Sequence, residues 1–546
     1  MTVQLSRSVN KRSGYQQNFI QDKSAIGSVA GDYSAATIGR FTRGRIDQVF
    51  AVTREKHERL LGAPLSLSVS ATGEAQVQAY EALRYGAQQM IVSRLIADDA
   101  VNKILIAKSS ALDVSGTGPA VWSTGLESAG LPAGSLIAFK HLECFNDGLI
   151  CEINAEAAES AGVPAESKII TVQFLDPVSN AIIIGPFTGS LDPLAKDEYN
   201  NSSFIADVIE QATDLIKVVE VADNATVAVD SQFYGKANNK PKFASAKLFY
   251  FSEGRTVYTN AEMSAAIDRL RRSRPNFTYL GGGGTENVAL LGLLADLGKE
   301  INKQFIFDVP GRLAPAAAVS FVQSIGASVK SMYSQAYWAP LKRINPIAGG
   351  KAFFGTSGQQ IGLRCARNAQ VNGQGIAPRN YPIAGVDYGL SGTSISQTYT
   401  PDDPELELLA ENQINPVIFK DYASGAKFAW VDSLTGAQTT GGTKLIAVTE
   451  MATFLDDKVA ALGQESLQRP MADAIDMMTR NLGTLLKAMS SAKWMTPSAE
   501  LDGGYYQAEV NRNASAPNDE MNVLYDVSWD GTNRITRGTQ TIVRVS

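Results

Sequence analysis

FTYLGGGGTENVALLGLLADLGKEINKQFIFDVPG, residues 277–311, carries the reading of the fold. FTYL and QFIFDV have the aromatic and β-branched content of strands, and TENVALLGLLADLGKEI between them has the apolar spacing of a helix. Strand, helix and strand in succession suggest a crossover in a partly parallel sheet. Thr285, with Glu286 behind it, is read as the N-cap of this helix. The same alternation runs upstream through KLFYF (247–251) and the helix NAEMSAAIDRLRRS (260–273), with Asn260 read as its N-cap.

Further upstream, AATIGRFTRGRI (35–46) reads as a strand and a Gly/Arg turn, QVFAV (48–52) as a second strand, and TREKHERLLG (53–62) as a short helix with Gly62 at C′. In AYEALRYGAQQMIVSRL (79–95), Tyr80, Leu83, Ala87, Met90 and Ile91 recur at steps of three and four, which predicts a helix with one face on a sheet. From 101 to 245 the character changes. SLIAF (135–139), LICEI (149–153), KIITVQFL (168–175), AIIIGPF (181–187) and ATVAV (225–229) are short strand-like runs, separated by turn clusters, and YGKANNKPKF (234–243) reads as a returning linker.

In the last part, DPELELLAENQIN (403–415) gives a short helix, and FAWV (428–431) and KLIAVTE (444–450) give strands. Arg469–Trp494 gives a long helix with Pro470 in its first turn and an apolar stripe Met471, Ile475, Met478, Leu482, Leu485, Met489, read as core packing. YYQAEV, VLYDVSW and TRGTQTIVRVS close the chain as strands. The expected fold class is α/β and α+β multidomain. Its parts are a 1–30 extended arm, an α/β sheet domain with crossover helices split over 31–100 and 246–400, an inserted β-rich outer domain at 101–245, and a C-terminal α+β domain at 401–546.

The length of 546 residues allows about three or four domains. Lys and Arg number 49 against 55 Asp and Glu, a net charge of −6, which argues against a nucleic-acid binder relying on a basic face. Only two histidines (His57, His141) and three cysteines (Cys144, Cys151, Cys365) are present. A His-rich metal centre and a disulfide scaffold are therefore not expected, and without a C-x-x-C spacing the cysteines read as buried small hydrophobes. No apolar h-region follows the basic N-terminus and no run of about 18 apolar residues occurs, so neither a secretory signal nor a membrane span is expected.

The chemistry is sparse. LGGGGTEN (280–287) joins a strand to a helix start, where backbone N–H groups can hold an anion, but it matches neither common phosphate-loop pattern and reads as a structural turn. GAQTTGGTK (436–444) places Gly442 and Thr443 before Lys444 and reads as a surface hairpin. His57 in KHER and His141 in KHLE lie near no G-x-S-x-G elbow. No catalytic, cofactor or metal residue is assigned. The rival reading is an α/β enzyme binding a phosphate-bearing ligand at Gly281–Gly284.

The order of several segments resembles the tail sheath proteins of contractile bacteriophages. The first is AATIGRFTRGRIDQVFAVTREKHERLLG with AYEALRYGAQQMIVSRL. Then come FIFDVPG (305–311), YSQAYWAPL (333–341), IGLRCARN (361–368) and GQGIAPRNYPIAGV (373–386), similar in order to the family's D-x-P-G, Trp-Pro, Ala-Arg and Ala-Pro landmarks. ELLAENQINPVIF (407–419) and FAWVDSLTG (428–436) complete the series, the latter without the family's Arg-Thr pair. The likeness spans most of the chain outside 101–245.

The resemblance implies a non-enzymatic subunit without cofactors. It implies a homo-oligomeric helical sheath of stacked hexameric rings around a tail tube protein, with baseplate and tail terminator proteins as further partners, in the virion tail after assembly in the host cytoplasm. The family joins neighbours by donated strands. The matching segments here are Tyr15, Gln16, Gln17, Asn18, Phe19 and Ile20 at one end, and Thr539, Gln540, Thr541, Ile542, Val543, Arg544 and Val545 at the other. Such alternating strands are a liability in a monomer and a means of polymerising when donated. Lys487 and Lys493, near the end of the long helix, are candidates for facing the tube.

Overall fold

The structure is a computed structural model that describes residues 33–68, 71–108, 122–132, 134–155, 166–228, 233, 236–237, 240–241, 243, 247–249, 251–272, 277–392 and 394–541. Its centre is an eight-stranded mixed sheet built from β1 (Ser34–Gly39), β2 (Phe50–Val52), β3 (Gln89–Arg94), β4 (Tyr279–Gly281), β5 (Gln304–Val309), β6 (Ser334–Trp338), β7 (Ile414–Lys420) and β8 (Lys427–Trp430). The spatial order is β2-β3-β1-β4-β5-β6-β7-β8. The inner six strands are parallel, and β2 and β8 pair antiparallel at the edges.

Period-two alternation along each strand divides the core. Ala35, Met90, Val92, Tyr279, Ile306 and Tyr337 face one side, and Ala36, Ile38, Ile91, Leu280, Phe305, Phe307, Ala336 and Trp338 the other. Both faces are apolar, so both are covered. α1 (Glu74–Tyr85) and α5 (Ser357–Asn368) cover the first face, while α2 (Asn260–Arg272), α3 (Val288–Glu300), α4 (Pro315–Ile325) and α6 (Asp403–Glu411) cover the second. α1 and α5 cross at backbone contact because Gly358 and Gly362 face α1: a Cβ at Gly358 would lie 2.3 Å from the Gln78 carbonyl oxygen, and one at Gly362 2.6 Å from that of Ala82.

Between β3 and β4 lie two four-stranded antiparallel sheets. One joins Leu149–Ala155, Ile169–Leu175, Ile182–Ser190 and Lys247–Phe249; the other joins Ile104–Lys108, Trp122–Gly125, Ser135–His141 and Ile216–Val221. Leu105, Ile137 and Phe139 of one pack with Cys151, Ile153, Val172 and Phe174 of the other in a shared core. KLFYF therefore contributes Lys247–Phe249 to this region, not to the central sheet. Arg43 ties the region to the β1–β2 loop by an ion pair with Glu143 at 2.9 Å, and the buried Arg94 donates to the carbonyl oxygens of Gly44 and Cys144.

The C-terminal part stands on a separate core. α7 (Ile446–Ser466) and α8 (Met471–Ser491) bury Met451, Phe454, Leu455, Met478, Leu482, Leu486 and Met489 with Trp494, and a hairpin of β9 (Tyr506–Arg512) and β10 (Met521–Val527) lies on them. The expected stripe on α8 holds at Met478, Leu482 and Met489, with Leu486 taking the buried position expected for Leu485.

Four expectations fail in informative ways. The helix over 79–95 stops at Tyr85, because Gly86 has φ 141° and lies against Gly362 and Ala366; Met90 and Ile91 belong to β3. KLIAVTE is no strand: Gly442–Lys444 is a 3-10 turn, and α7 starts at Ile446. The α3 cap is Asn287, whose side chain accepts from the N–H groups of Ala289 and Leu290, and Thr285 lies two residues outside. Thr259 precedes α2 and exchanges hydrogen bonds with Glu262, which places Asn260 inside the helix. By contrast, α6 starts with a full capping box between Asp402 and Glu405.

Candidate functional site

The glycine-rich turn after β4 packs at Gly284 against the start of α1. Gly282 N–H donates to the Ile306 carbonyl and Thr285 N–H to that of Gly282, so two donors of the turn are already used. Gly284, at φ 69°, leaves room for the side chain of Glu74 at the start of α1; a Cβ there would lie 2.3 Å from the Glu74 carboxyl carbon. Glu74 Oε1 accepts from Gly355 N–H at 2.8 Å and from Gln78 Nε2 at 3.2 Å. Burial, and after it the neighbouring Asp308 charge, push this carboxyl up to about 8. Asp308, on β5, receives Thr356 N–H at 2.7 Å and Ser357 Oγ at 2.5 Å, and burial pushes it up to about 6. The space beneath the glycine turn therefore holds two buried carboxyls already engaged by the protein's own N–H and O–H donors.

The other sequence candidates for chemistry are structural. His141 is fully buried and receives Phe145 N–H at Nδ1, with its pKa pushed down to about 3 by burial and then by Arg94. His57 donates from Nδ1 to the Arg54 carbonyl at 3.0 Å and leans on Tyr80. All three cysteines are buried free thiols; burial pushes Cys144 and Cys365 up to about 12 and Cys151 well above its ordinary value, which removes the thiolate that nucleophilic chemistry needs. Gly436–Lys444 forms a closed surface loop, with Thr435 N–H donating to the Lys444 carbonyl. Among the described residues no group of three or more His, Cys, Asp or Glu is placed to hold a metal ion, and no helix is long and apolar enough to cross a membrane.

A buried charge cluster that the sequence did not announce joins the C-terminal part to the sheet. Glu450 of α7 reaches Arg367 at 2.9 Å and Arg364 at 3.5 Å, both on α5. Arg364 also donates to the Tyr337 hydroxyl at 2.7 Å and Arg367 to the Tyr381 carbonyl at 2.8 Å. Arg379, from the Ala-Pro segment, lies over the Phe454 ring at 4.6 Å. Burial opposes the charge on Glu450, but the arginines, Arg367 first, win and hold its carboxyl below the ordinary range. The IGLRCARN and IAPRN segments thus meet at one carboxylate, although they are separated in sequence.

The exposed surface with unfinished backbone pairing is the β9–β10 hairpin. Its seven residue pairs, from Tyr506↔Val527 to Arg512↔Met521, form a two-stranded sheet, and among the described residues no third strand joins either edge. Tyr506, Val510, Val523, Tyr525 and Val527 pack onto α7 and α8, and the Tyr525 hydroxyl donates to Asp456 at 2.6 Å. A lone two-stranded hairpin is marginal in water, and here the helix core carries it while both edges keep open donors and acceptors. After the hairpin the chain is pinned by Arg534 to Asp432 at 2.5 Å, and Ile535–Thr541 are exposed and outside any strand. Of the expected C-terminal strand, Thr539, Gln540 and Thr541 are exposed and in no strand, while Ile542, Val543, Arg544 and Val545 lie outside the described residues. The expected N-terminal strand, Tyr15–Ile20, also lies outside them. Lys487 and Lys493 are both exposed at the C-terminal end of α8.

Among solved structures, the chain is similar to a chain of the anti-feeding prophage (AFP) baseplate, 6-fold symmetrised, with 13% identity over 56% of this chain and 77% of that one and a TM-score of 0.41. It is also similar to a chain of the PVC sheath complex, from an extracellular contractile injection system in the contracted state, with 13% identity over 51% and 74% of the two chains and a TM-score of 0.41. No family model and no curated protein matches the chain.

Proposed function

We propose that this chain is a structural subunit of a bacteriophage contractile tail sheath, which polymerises around the tail tube by exchanging terminal β-strands and contracts to drive the tube through the host envelope. The observation that carries the reading is the β9–β10 hairpin, which no third strand joins among the described residues, in a chain whose last described residues, Ile535–Thr541, are exposed and in no strand. Strand-like segments at 15–20 and 539–545 are the donors for those edges in neighbouring copies. Four or so backbone bonds per donated strand, at about 0.5–1.5 kcal/mol each, give a few kcal/mol per link. Repetition along a helical array then holds a long assembly.

The domain division of 1–30, 31–100, 101–245, 246–400 and 401–546 belongs to the same proposal, with 101–245 outward and the C-terminal part toward the tube. So do the hexameric rings, the tube, baseplate and terminator partners, and a virion location after assembly in the host cytoplasm. Lys487 and Lys493 are placed facing the tube; replacing both with Glu is expected to weaken co-sedimentation with tube while leaving self-assembly intact. The Glu74 side chain packed against Gly284 occupies space that a phosphate at Gly281–Gly284 would need, which counts against the phosphate-binding enzyme.

The test is negative-stain electron microscopy of the full chain beside a version ending at Gly538. Wide hollow tubes from the full chain, lost on truncation while the monomer still melts cooperatively, are expected. Compact particles from both versions would remove polymerisation as the function.

A further inference from the structure

The sheet order contains a switch point. From β1 the chain turns to β3 on one side, through α1 on one face, whereas β4 leads outward through α3 on the opposite face to β5. In such sheets the two chain directions part at the carboxyl ends of the neighbouring strands and leave a crevice there, the usual place for a ligand. A cavity of 350 Å³ lies at this point, lined by Ile38, Arg40, Leu95, Val257, Tyr258 and Leu290 among others.

Its chemistry is uneven. Ile38, Leu95, Val257 and Leu290 make apolar walls. The charged residues in the lining are Arg40 and Glu286, and Glu286 is bound by both terminal nitrogens of Arg312. Arg40 Nε faces Glu253 Oε1 at 3.7 Å, beyond hydrogen-bond distance, while Arg94 at 3.2 Å and Asn146 engage the other oxygen, Oε2. Arg40 Nη1 is a buried nitrogen without a well-formed hydrogen bond, and the buried Tyr258 hydroxyl, within hydrogen-bond reach of the Arg40 guanidinium, keeps its own O–H proton to donate. Two donors at one wall call for an acceptor, and an under-compensated guanidinium calls for a charged one.

We infer that this crevice binds a small organic carboxylate: one anionic head, held by Arg40 and Tyr258, on a compact apolar body lying against Ile38, Leu95, Val257 and Leu290. The site owes nothing to polymerisation and stands or falls apart from the sheath reading. The glycine turn lines this crevice too, through Gly283, Gly284 and Thr285, whereas Glu74 and Asp308 do not line it.

Isothermal titration of the full chain with octanoate, acetate and 1-octanol tests it, since the three separate head from body. Saturable octanoate binding with Kd below about 1 mM is expected, with acetate and octanol each at least about tenfold weaker. Arg40→Met removes the cation. Val257→Glu, at a rim residue that is 77% exposed and so indifferent to folding, places a negative charge at the mouth. Each is expected to weaken octanoate at least about tenfold. If Arg40→Met does not fold, Val257→Glu decides alone. Absence of saturable octanoate binding, octanol binding as well as octanoate, or octanoate binding unchanged by Val257→Glu would each overturn the inference.

Discussion

Glu74 should make the subunit less stable as the solution becomes more alkaline, and Glu74→Gln should remove that loss. The carboxyl is packed between Gly284 and Gly355 and accepts two N–H donors on Oε1. Burial and the Asp308 charge raise it from its ordinary value of 4.5 to about 8. The folded chain therefore keeps a proton that the unfolded chain releases above its ordinary pKa. Stability from this group is full below about 4.5, falls as pH rises, and is gone above about 8. At 1.36 kcal/mol per pKa unit the ceiling is about 5 kcal/mol. Solvent reaches part of the side chain, and screening lowers the expectation to about 2–3 kcal/mol.

Glutamine reproduces the shape of the protonated acid and keeps the oxygen that Gly355 N–H needs. Urea unfolding of the wild type and Glu74→Gln at pH 5, 7 and 9 should give similar stabilities at pH 5, with the variant ahead by about 2–3 kcal/mol at pH 9. Asp308 titrates near 6 in both chains, so the difference between them isolates Glu74. Parallel stability curves across this range, or a wild type that overtakes the variant at high pH, would refute the reasoning.

Other substitutions follow from the same packing. Glu450→Ala leaves Arg364 and Arg367 buried without their carboxylate and should cost about 3–5 kcal/mol in chemical denaturation. Gly362→Ala sets two effects against each other: helix propensity alone would stabilise by about 1 kcal/mol, but the 2.6 Å approach to the Ala82 carbonyl predicts a net loss of about 1–3 kcal/mol, read as a fall in Tm. The buried thiols of Cys144, Cys151 and Cys365 should be silent toward an aromatic disulfide reagent at pH 8 in the native chain and should all react after unfolding in urea.

The parallel sheet was legible because its strands and crossover helices carry different periods and the connections are short. The β3 strand was misread for a reason of the same kind: Met90 and Ile91 happen to continue the spacing of α1, and only the backbone at Gly86, pressed against α5, breaks it. The cap of α3 was misplaced because Thr285 and Asn287 are both good caps, and the choice between them depends on where the turn after β4 releases the chain. The arginine cluster was invisible for a different reason. Its members come from α5, from the Ala-Pro segment and from α7, so no spacing in the sequence relates them.

The misread KLIAVTE segment connects these failures to the architecture. Ile446 packs into the core under the central sheet, Val448 and Met451 into the core of α7 and α8, and Glu450 points at Arg364 and Arg367. The first turns of α7 are buried on every side, from Ile446 through Met451. A helix buried all round shows no amphipathic period, and its β-branched residues then imitate a buried strand. The same burial explains why a carboxylate and two arginines sit at this position. Two apolar cores meet across α7, and apolar contacts alone would let the helix slide or rotate between them. A single carboxylate that must reach two guanidiniums on α5 fixes one orientation, because any other leaves a buried charge unpaired at a cost of several kcal/mol. That orientation fixes the α7–α8 core, with its hairpin, against the central sheet.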